Sequence, residues 1–79
     1  KKFNGVKTLK TFNKGSYTIN LNFEVTKGNA KLVLCDNDKI IHEFIINADN
    51  QTYIIDAESR VYLKIAGESC AFELTYSYS

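Results

Sequence analysis

The sequence predicts an all-β fold, a single small antiparallel β-sandwich of about seven strands with an immunoglobulin-like or jelly-roll-like arrangement. The first observation is the segment from Tyr17 to Val25, in which large apolar residues alternate with Thr, Asn and Glu. A period of two over this length is typical of a strand with one buried and one solvated face. Clusters of Gly, Asn, Asp and Ser also interrupt the chain roughly every 8–12 residues, and no segment has a helical period.

The N-terminal half is predicted to contain three strands. The first, residues 3–12, is weak because it has few apolar residues, and the turn residues 13–15 end it. The second, residues 17–26, is the alternating strand described above. A glycine-containing hairpin loop at Lys27-Gly28-Asn29 leads into the third strand, residues 30–35.

Four more strands are predicted in the C-terminal half, separated by short polar connections. Residues 40–47 are almost continuously apolar, but their β-branched side chains and the flanking turn signals argue against a helix. The four strands are residues 40–47, 51–56, 60–66 and 70–78, and the connections are residues 36–39, 48–50, 57–59 and 67–69.

The parity of the apolar residues predicts one core between two sheets. The 79 residues form one domain, residues 1–79, whose core is thin because a domain of this size buries only about 60% of its unfolded surface. The residues predicted to be buried are Ile19, Leu21, Phe23, Leu32, Leu34, Phe44, Leu63, Ile65, Phe72 and Leu74.

The two cysteines are predicted to be free, buried thiols. Cys70 shares parity with Phe72 and Leu74, whereas Cys35 has the parity opposite to Leu34. Opposite faces disfavour a disulfide, because the two Cβ atoms must approach to about 4 Å. A disulfide remains the alternative, since small secreted domains often contain one.

Charge and hydropathy exclude several partners. The net charge is +1, with 10 basic and 9 acidic side chains, so there is no electrostatic case for nucleic acid or for an anionic membrane. No apolar run approaches the roughly 20 residues that a transmembrane helix needs, and no signal or transit peptide is evident.

No motif predicts catalysis, a cofactor or a metal. Asp36-Asn37-Asp38 could offer oxygens to Ca²⁺, but it lacks the glycine and distal glutamate of an EF-hand and is interpreted as a solvated turn. His42 is the only histidine, and neither cysteine lies at metal-ligand spacing from it. We therefore expect no enzyme activity and no catalytic, cofactor-binding or metal-binding residues.

Aromatic residues supply the only candidate interaction surface. Tyr53 and Tyr62 have parity opposite to the expected core faces of their strands, so they could stack on a sugar ring or anchor a protein. Packing against long neighbours such as Arg60 and Lys64 is the alternative. The predicted surface residues are Tyr53, Tyr62, Tyr76 and Tyr78.

The C-terminal strand is the expected place for a partner strand to add, either from a second copy of the chain or from another part of the parent protein. Residues 76–79 carry no charge, and the whole chain has no proline. Charge and proline are the usual protection of a sheet edge, so a partner strand could add here.

Several motifs together resemble a known group of proteins. They are Phe3-Asn4-Gly5, Lys14-Gly15-Ser16-Tyr17, the segment from Lys27 to Leu32, the turn at 36–39 and the segment from Val61 to Gly67. Nearly the whole chain thus resembles the small secreted or lipid-anchored β-sandwich domains of Gram-positive bacteria, mostly of unknown function. The resemblance implies a cell-envelope location and transfers no catalytic residue.

The expected function is that of a non-catalytic extracellular or cell-envelope binding or adaptor domain. Its partner would be an unidentified protein or envelope component. The alternative is a structural accessory module that packs on a neighbouring domain or associates with itself through an edge strand. Because the two cysteines fit an envelope location less well, a cytoplasmic accessory domain stays open.

Overall fold

Five antiparallel strands, hydrogen-bonded into one sheet, make up the chain in a computed structural model that describes residues 3–79. In the sheet β5 lies between β1 and β2, and the other side of β2 pairs with β3 and with β4 along different parts of its length. The predicted all-β antiparallel class is confirmed, and residues 3–79 contain no helix. The strands are β1 (Phe3–Phe12), β2 (Gly15–Cys35), β3 (Ile40–Glu43), β4 (Ala48–Ala57) and β5 (Val61–Tyr78).

There are five strands rather than the predicted seven, because two predicted turns lie inside continuous strands. The segments 27–29 and 67–69 belong to β2 and β5, which pair with each other from Cys35 and Tyr62 to Ile19 and Tyr78. The turn residues of one strand thus face those of the other. Together they form a bend, which comprises residues 25–29 of β2 and 67–72 of β5, with register shifts instead of chain reversals.

The bend also reverses the side-chain alternation of both long strands. In β2 the buried positions are odd-numbered over residues 19–23 and even-numbered at Leu32 and Leu34. In β5 they change from Ile65 to Cys70. The register shifts place one extra residue in each strand at the bend, and an extra residue moves every later side chain to the other face. Because the apolar residues change between odd and even positions at the same place, the apolar side chains of both halves lie on the same side of the sheet.

The sheet folds over its own apolar face. Phe12 is the register partner of Val61 at the start of β5, and its ring centroid lies 5.1 Å from that of Tyr78 at the end of β5. A straight strand of 18 residues would span about 60 Å, so β5 must bend back on itself for both of its ends to lie beside Phe12.

One cluster of buried side chains fills the interior. The predicted core residues are buried, except that Phe72 and Leu74 pack against the cluster and stay partly exposed. The cluster also contains Phe12, Ile55 and Val61, which were not among the residues predicted to be buried.

Side chains hold the connection between β3 and β4 in place. The predicted strand over residues 40–47 ends at Glu43. Asn47 donates its backbone N–H to Phe23 O (2.9 Å), and its side-chain Oδ1 accepts a hydrogen bond from Val25 N (2.8 Å), so this residue is bound to β2 outside the β3 pairing. The amide of Gln51 bonds both Ile45 N and Ile45 O at 2.7 Å. The predicted turn at 48–50 is consequently part of β4.

Candidate functional site

A groove of about 650 Å³ lies at the bend of the sheet. Residues from β1, β2, β3, β5 and the β3–β4 connection line it, and the bend brings β2 and β5 together there. Its lining combines small residues (Gly5, Gly28, Ala30, Ala66, Gly67), apolar side chains (Val6, Val25, Ile46) and polar or charged ones (Asn29, Lys31, Glu43, Asn47, Glu68).

Strand register brings several small residues together at the groove. Gly67 is the register partner of both Gly5 and Ala30, so small residues meet across three neighbouring strands. Ala66 likewise pairs with Val6 and Lys31 in the next row. Val6 and Lys31 are the larger side chains of these rows that line the groove, whereas the space beside Gly67 is occupied by the Cys70 thiol and the Phe3 ring.

The rim of the groove exposes apolar surface to water. Val6 is 69% exposed and Ile46 is 43% exposed, and Ile45 beside it is 67% exposed although it does not line the groove. The charged groups of the lining are one lysine and two glutamates, so the charges around the apolar surface are mixed. Such a lining suits a ligand with apolar contacts and a few polar groups.

Two of the predicted surface residues, Tyr76 and Tyr78, lie together near the end of β5. They are 38% and 46% exposed. The Tyr78 ring packs on Phe12, and Lys10 Nζ lies 5.0 Å from its centroid. Interaction with Tyr78, chiefly hydrogen bonding and then charge, raises the pKa of Lys10 above its ordinary value.

The predicted outward orientation of Tyr53 is wrong. Tyr53 and Tyr78 are both register partners of the buried Ile19, on opposite sides of β2, so all three lie on the core face. The outward residue of β4 is Ile54, which is 73% exposed. The short apolar run at 53–55 shows no alternation, and only the pairing with β2 decides which of its residues face inward.

Tyr62 lies away from the other three tyrosines, in the N-terminal half of β5. It is half-buried, and Lys64 Nζ is 5.3 Å from its ring centroid. The alternative interpretation, packing against a long neighbour, thus accounts for Tyr62. The structure brings Tyr76 and Tyr78 together and places Tyr53 and Tyr62 elsewhere on the sheet.

His42 is part of an aromatic stack. Its ring lies parallel to that of Tyr53, with centroids 4.2 Å apart and an interplanar angle of 11°, and it meets Phe44 edge-on at 4.8 Å. On β2 its register partner is Leu34. This packing gives His42 a structural role at the margin of the core.

Both cysteines are free and buried, as predicted. Cys35 pairs with Tyr62 at one end of β5, whereas Cys70 lies beyond the bend and pairs with Phe3. The straight part of β5 from Tyr62 to Ala66 alone spans about 13 Å. A disulfide needs Cα atoms within about 7 Å, so the two thiols cannot meet.

The acidic turn at 36–39 uses its first carboxylate internally. Asp36 Oδ1 accepts hydrogen bonds from the backbone N–H groups of Asp38 and Lys39, both at 2.8 Å. These two donors lower the pKa of Asp36 below its ordinary value. Over residues 3–79, no group of three or more His, Cys, Asp or Glu side chains is arranged to hold a metal ion.

Comparison with known proteins found no family model, no curated protein and no solved structure that matches the chain. In residues 3–79 there is also no helix long and apolar enough to cross a membrane.

Sequence patterns did not reveal the groove. Gly5, Gly28 and Gly67 are far apart in the sequence and look like ordinary turn glycines. The only signal was that glycine recurs beside strongly alternating strands. Without the register, nothing in the sequence shows that these residues share one place.

Proposed function

We propose that this chain is a non-catalytic binding or adaptor domain of the cell envelope or the extracellular space, and that the groove at the bend is its binding site. The observation that carries the proposal is an accessible groove of about 650 Å³ with exposed apolar side chains on its rim. Concave apolar surface with a few polar groups is the usual form of a ligand site. The resemblance to small secreted or lipid-anchored β-sandwich domains of Gram-positive bacteria supports the location.

The composition of the groove favours binding over chemistry. Among the described residues that line it there is no hydroxyl, thiol or imidazole. The side chains that could act on a ligand are Lys31, Glu43 and Glu68, which suit ion pairing with polar parts of that ligand. We also propose that the folded sheet acts as a two-layered sandwich, with the binding site where the two halves join.

Two neighbouring isoleucines allow a matched test. Soluble peptidoglycan fragments and lipoteichoic acid are titrated separately into the isotopically labelled protein, and amide shifts are recorded by NMR. We expect shifts among the groove residues, abolished by Ile46→Lys, which changes the lining. Ile45→Lys changes an exposed residue outside the groove and should leave them intact.

Two results would oppose the proposal. Shifts centred outside the groove would contradict the assigned site. No shift with either probe at millimolar concentration would contradict the envelope-ligand form of the proposal.

The second candidate function is a structural accessory module, located in the envelope or in the cytoplasm, that packs on a neighbouring domain or associates with itself. A specific observation favours it, since within residues 3–79 β1 pairs with β5 only as far as Cys70, whereas β5 continues to Tyr78. An uncovered strand edge is a common site for the addition of another strand.

A further inference from the structure

The C-terminal part of β5 has a hydrogen-bonded neighbour on one side only, as far as residues 3–79 are concerned. β2 pairs with β5 as far as Tyr78, and Ser79 continues the pairing with Thr18. On the other side, β1 pairs with β5 only from Val61 to Cys70. We call the uncovered side of residues 71–79 the open edge.

The direction of the backbone groups at the open edge follows from one pair of hydrogen bonds. Thr18 and Ser79 exchange both N–H···O bonds, at 3.0 and 3.1 Å, so Ser79 directs its backbone groups toward β2. Antiparallel strands alternate this direction from residue to residue, and the register is unbroken from Phe72 to Tyr78. The backbone N–H and C=O groups of Phe72, Leu74, Tyr76 and Tyr78 therefore point outward.

The other edges of the sheet are better protected than this one. β1 has two register shifts and carries Lys7 and Lys10, and β3 is only four residues long. β4 and its flanks carry carboxylates, among them Asp49 and Asp56. The open edge is regular from Phe72 to Tyr78 and has a single charged residue, Glu73. Irregularity, shortness and charge are what normally prevent strand addition.

We propose that the open edge pairs with the same edge of a second copy of this chain, antiparallel and two-fold symmetric, with Thr75 on the axis. This inference rests on the second proposed function, self-association through an edge strand. Thr75 is the midpoint of residues 71–79, so this register overlaps the whole of the open edge. Two copies then share one continuous sheet through β5.

The proposed register pairs outward backbone groups with outward backbone groups. Leu74 lies opposite Tyr76 of the second copy, and Phe72 lies opposite Tyr78 of the second copy. Each of these pairs exchanges both N–H···O bonds, since all four residues direct their backbone groups to the open edge. Their side chains lie on the core face, so the pairing covers the exposed rings of Tyr76 and Tyr78.

The single charge distinguishes this register from a neighbouring one. With Thr75 on the axis, Glu73 faces Ser77 of the second copy. With Glu73 on the axis, the two carboxylates would face each other, which is destabilising. In the proposed register, the open edge can therefore pair antiparallel with the same edge of a second copy without placing like charges opposite each other.

Sedimentation of the full chain over a range of concentrations tests the association. We expect a monomer–dimer equilibrium. Thr75→Lys places two ammonium groups directly opposite each other on the axis and should raise the dimer Kd by about tenfold or more. The matched control is Thr52→Lys, an exposed threonine of β4 on the same half of the sheet, which should leave the Kd unchanged. A wild-type chain that stays monomeric throughout overturns the proposal.

Cross-linking tests the register. Thr75 directs its backbone groups toward β2, so two copies meet at Thr75 in a non-hydrogen-bonded pair with Cα atoms about 4.5 Å apart, close enough for a disulfide. Thr75→Cys should thus give a covalent dimer under mild oxidation. Ser77→Cys should not, because its own counterpart is about 13 Å away along the strand. Equal cross-linking of the two variants would refute the Thr75 axis.

The two proposals fail separately. Ile46→Lys should leave sedimentation unchanged, and Thr75→Lys should leave the NMR shifts at the groove unchanged, because the groove lining does not include the open edge. A wild-type chain that binds a probe at the groove but stays monomeric would therefore remove this inference and leave the groove proposal standing.

Discussion

Phe23 of β2 and Phe72 of β5 are in ring contact near the bend, with centroids 6.3 Å apart, but they differ in burial. Phe23 is 1% exposed, whereas Phe72 packs against the core from its margin. Phe23 has strands on both sides of β2, and Phe72 lies where β5 begins to lose its second neighbour. At the residue scale, the number of neighbouring strands decides how much burial an apolar side chain gains.

We expect Phe23→Ala to lower the free energy of unfolding by about 3–5 kcal/mol, because it removes a fully buried ring and leaves a cavity. That loss is a large part of the stability of a domain of this size. Denaturant unfolding followed by circular dichroism measures it. Phe72→Ala is the matched control and should cost clearly less, so equal losses would contradict the assignment of the core.

The turn at Asp36 should contribute to stability in a pH-dependent way. Two backbone N–H donors lower the folded-state pKa of Asp36, so its contribution is present above the unfolded pKa of about 4 and is lost as the pH falls through the folded value. Thermal unfolding of Asp36→Ala should therefore differ from wild type at pH 6 and converge with it in acid. Asp38→Ala, in the same turn, is the control, and a difference that persists unchanged in acid would refute the explanation.

At the element scale, the bend depends on a close approach between β2 and β5. Gly28 has a φ of +70°, and a Cβ atom there would lie 2.7 Å from Glu68 O and would collide with Ser69 O. Ser69 itself has a φ of +46°. The two strands can bend together because one residue of each adopts the left-handed region that glycine favours.

Gly28→Ala should therefore destabilise the protein by about 2 kcal/mol or more, since it adds a backbone collision to the cost of a positive φ. Gly5→Ala is the matched control. Gly5 also has a positive φ of +106°, but nothing lies within 4 Å of the added Cβ, so only the conformational cost remains. Thermal unfolding compares the two, and a smaller loss for Gly28→Ala than for Gly5→Ala would contradict the close approach.

At the scale of the whole molecule, the folding of the sheet over itself buries both cysteine side chains, which lie far apart along the paired strands β2 and β5. Cys70 is fully buried, and its thiol lies 3.5 Å from Phe3 O, whereas Cys35, the last residue of β2, is 9% exposed and pairs with Tyr62 near the start of β5. Both positions owe their burial to neighbours that are distant in sequence.

Thiol labelling should report on this arrangement. In denaturant, without any reductant, both cysteines should take up an alkylating reagent, because they are not bridged. In the native protein both should react slowly, and Cys70 more slowly than Cys35 because it is less exposed. Intact mass counts the labels, and a chain that takes up none in denaturant until it is reduced would contain a disulfide after all.

Side-chain alternation allowed much of the core to be predicted and little of the candidate site. Ile19, Leu21 and Phe23 are buried as expected, because a strand with one polar face has only one stable orientation. Tyr53 was assigned to the wrong face, because a short continuous apolar run has no parity of its own. The groove residues come from four different segments and had no signal that depends on sequence alone.

The sequence by itself determined the all-β class, the apolar faces of the strong strands and the connections near residues 13–15, 36–39 and 57–59. These features are local, since they depend on neighbouring residues and on turn chemistry. Only the tertiary structure decided that the interruptions at 27–29 and 67–69 are a bend and not two hairpin turns. Whether a glycine-containing segment reverses the chain or bulges depends on what pairs with it across the sheet, and here the two segments pair with each other. The groove and the open edge both follow from that long-range pairing.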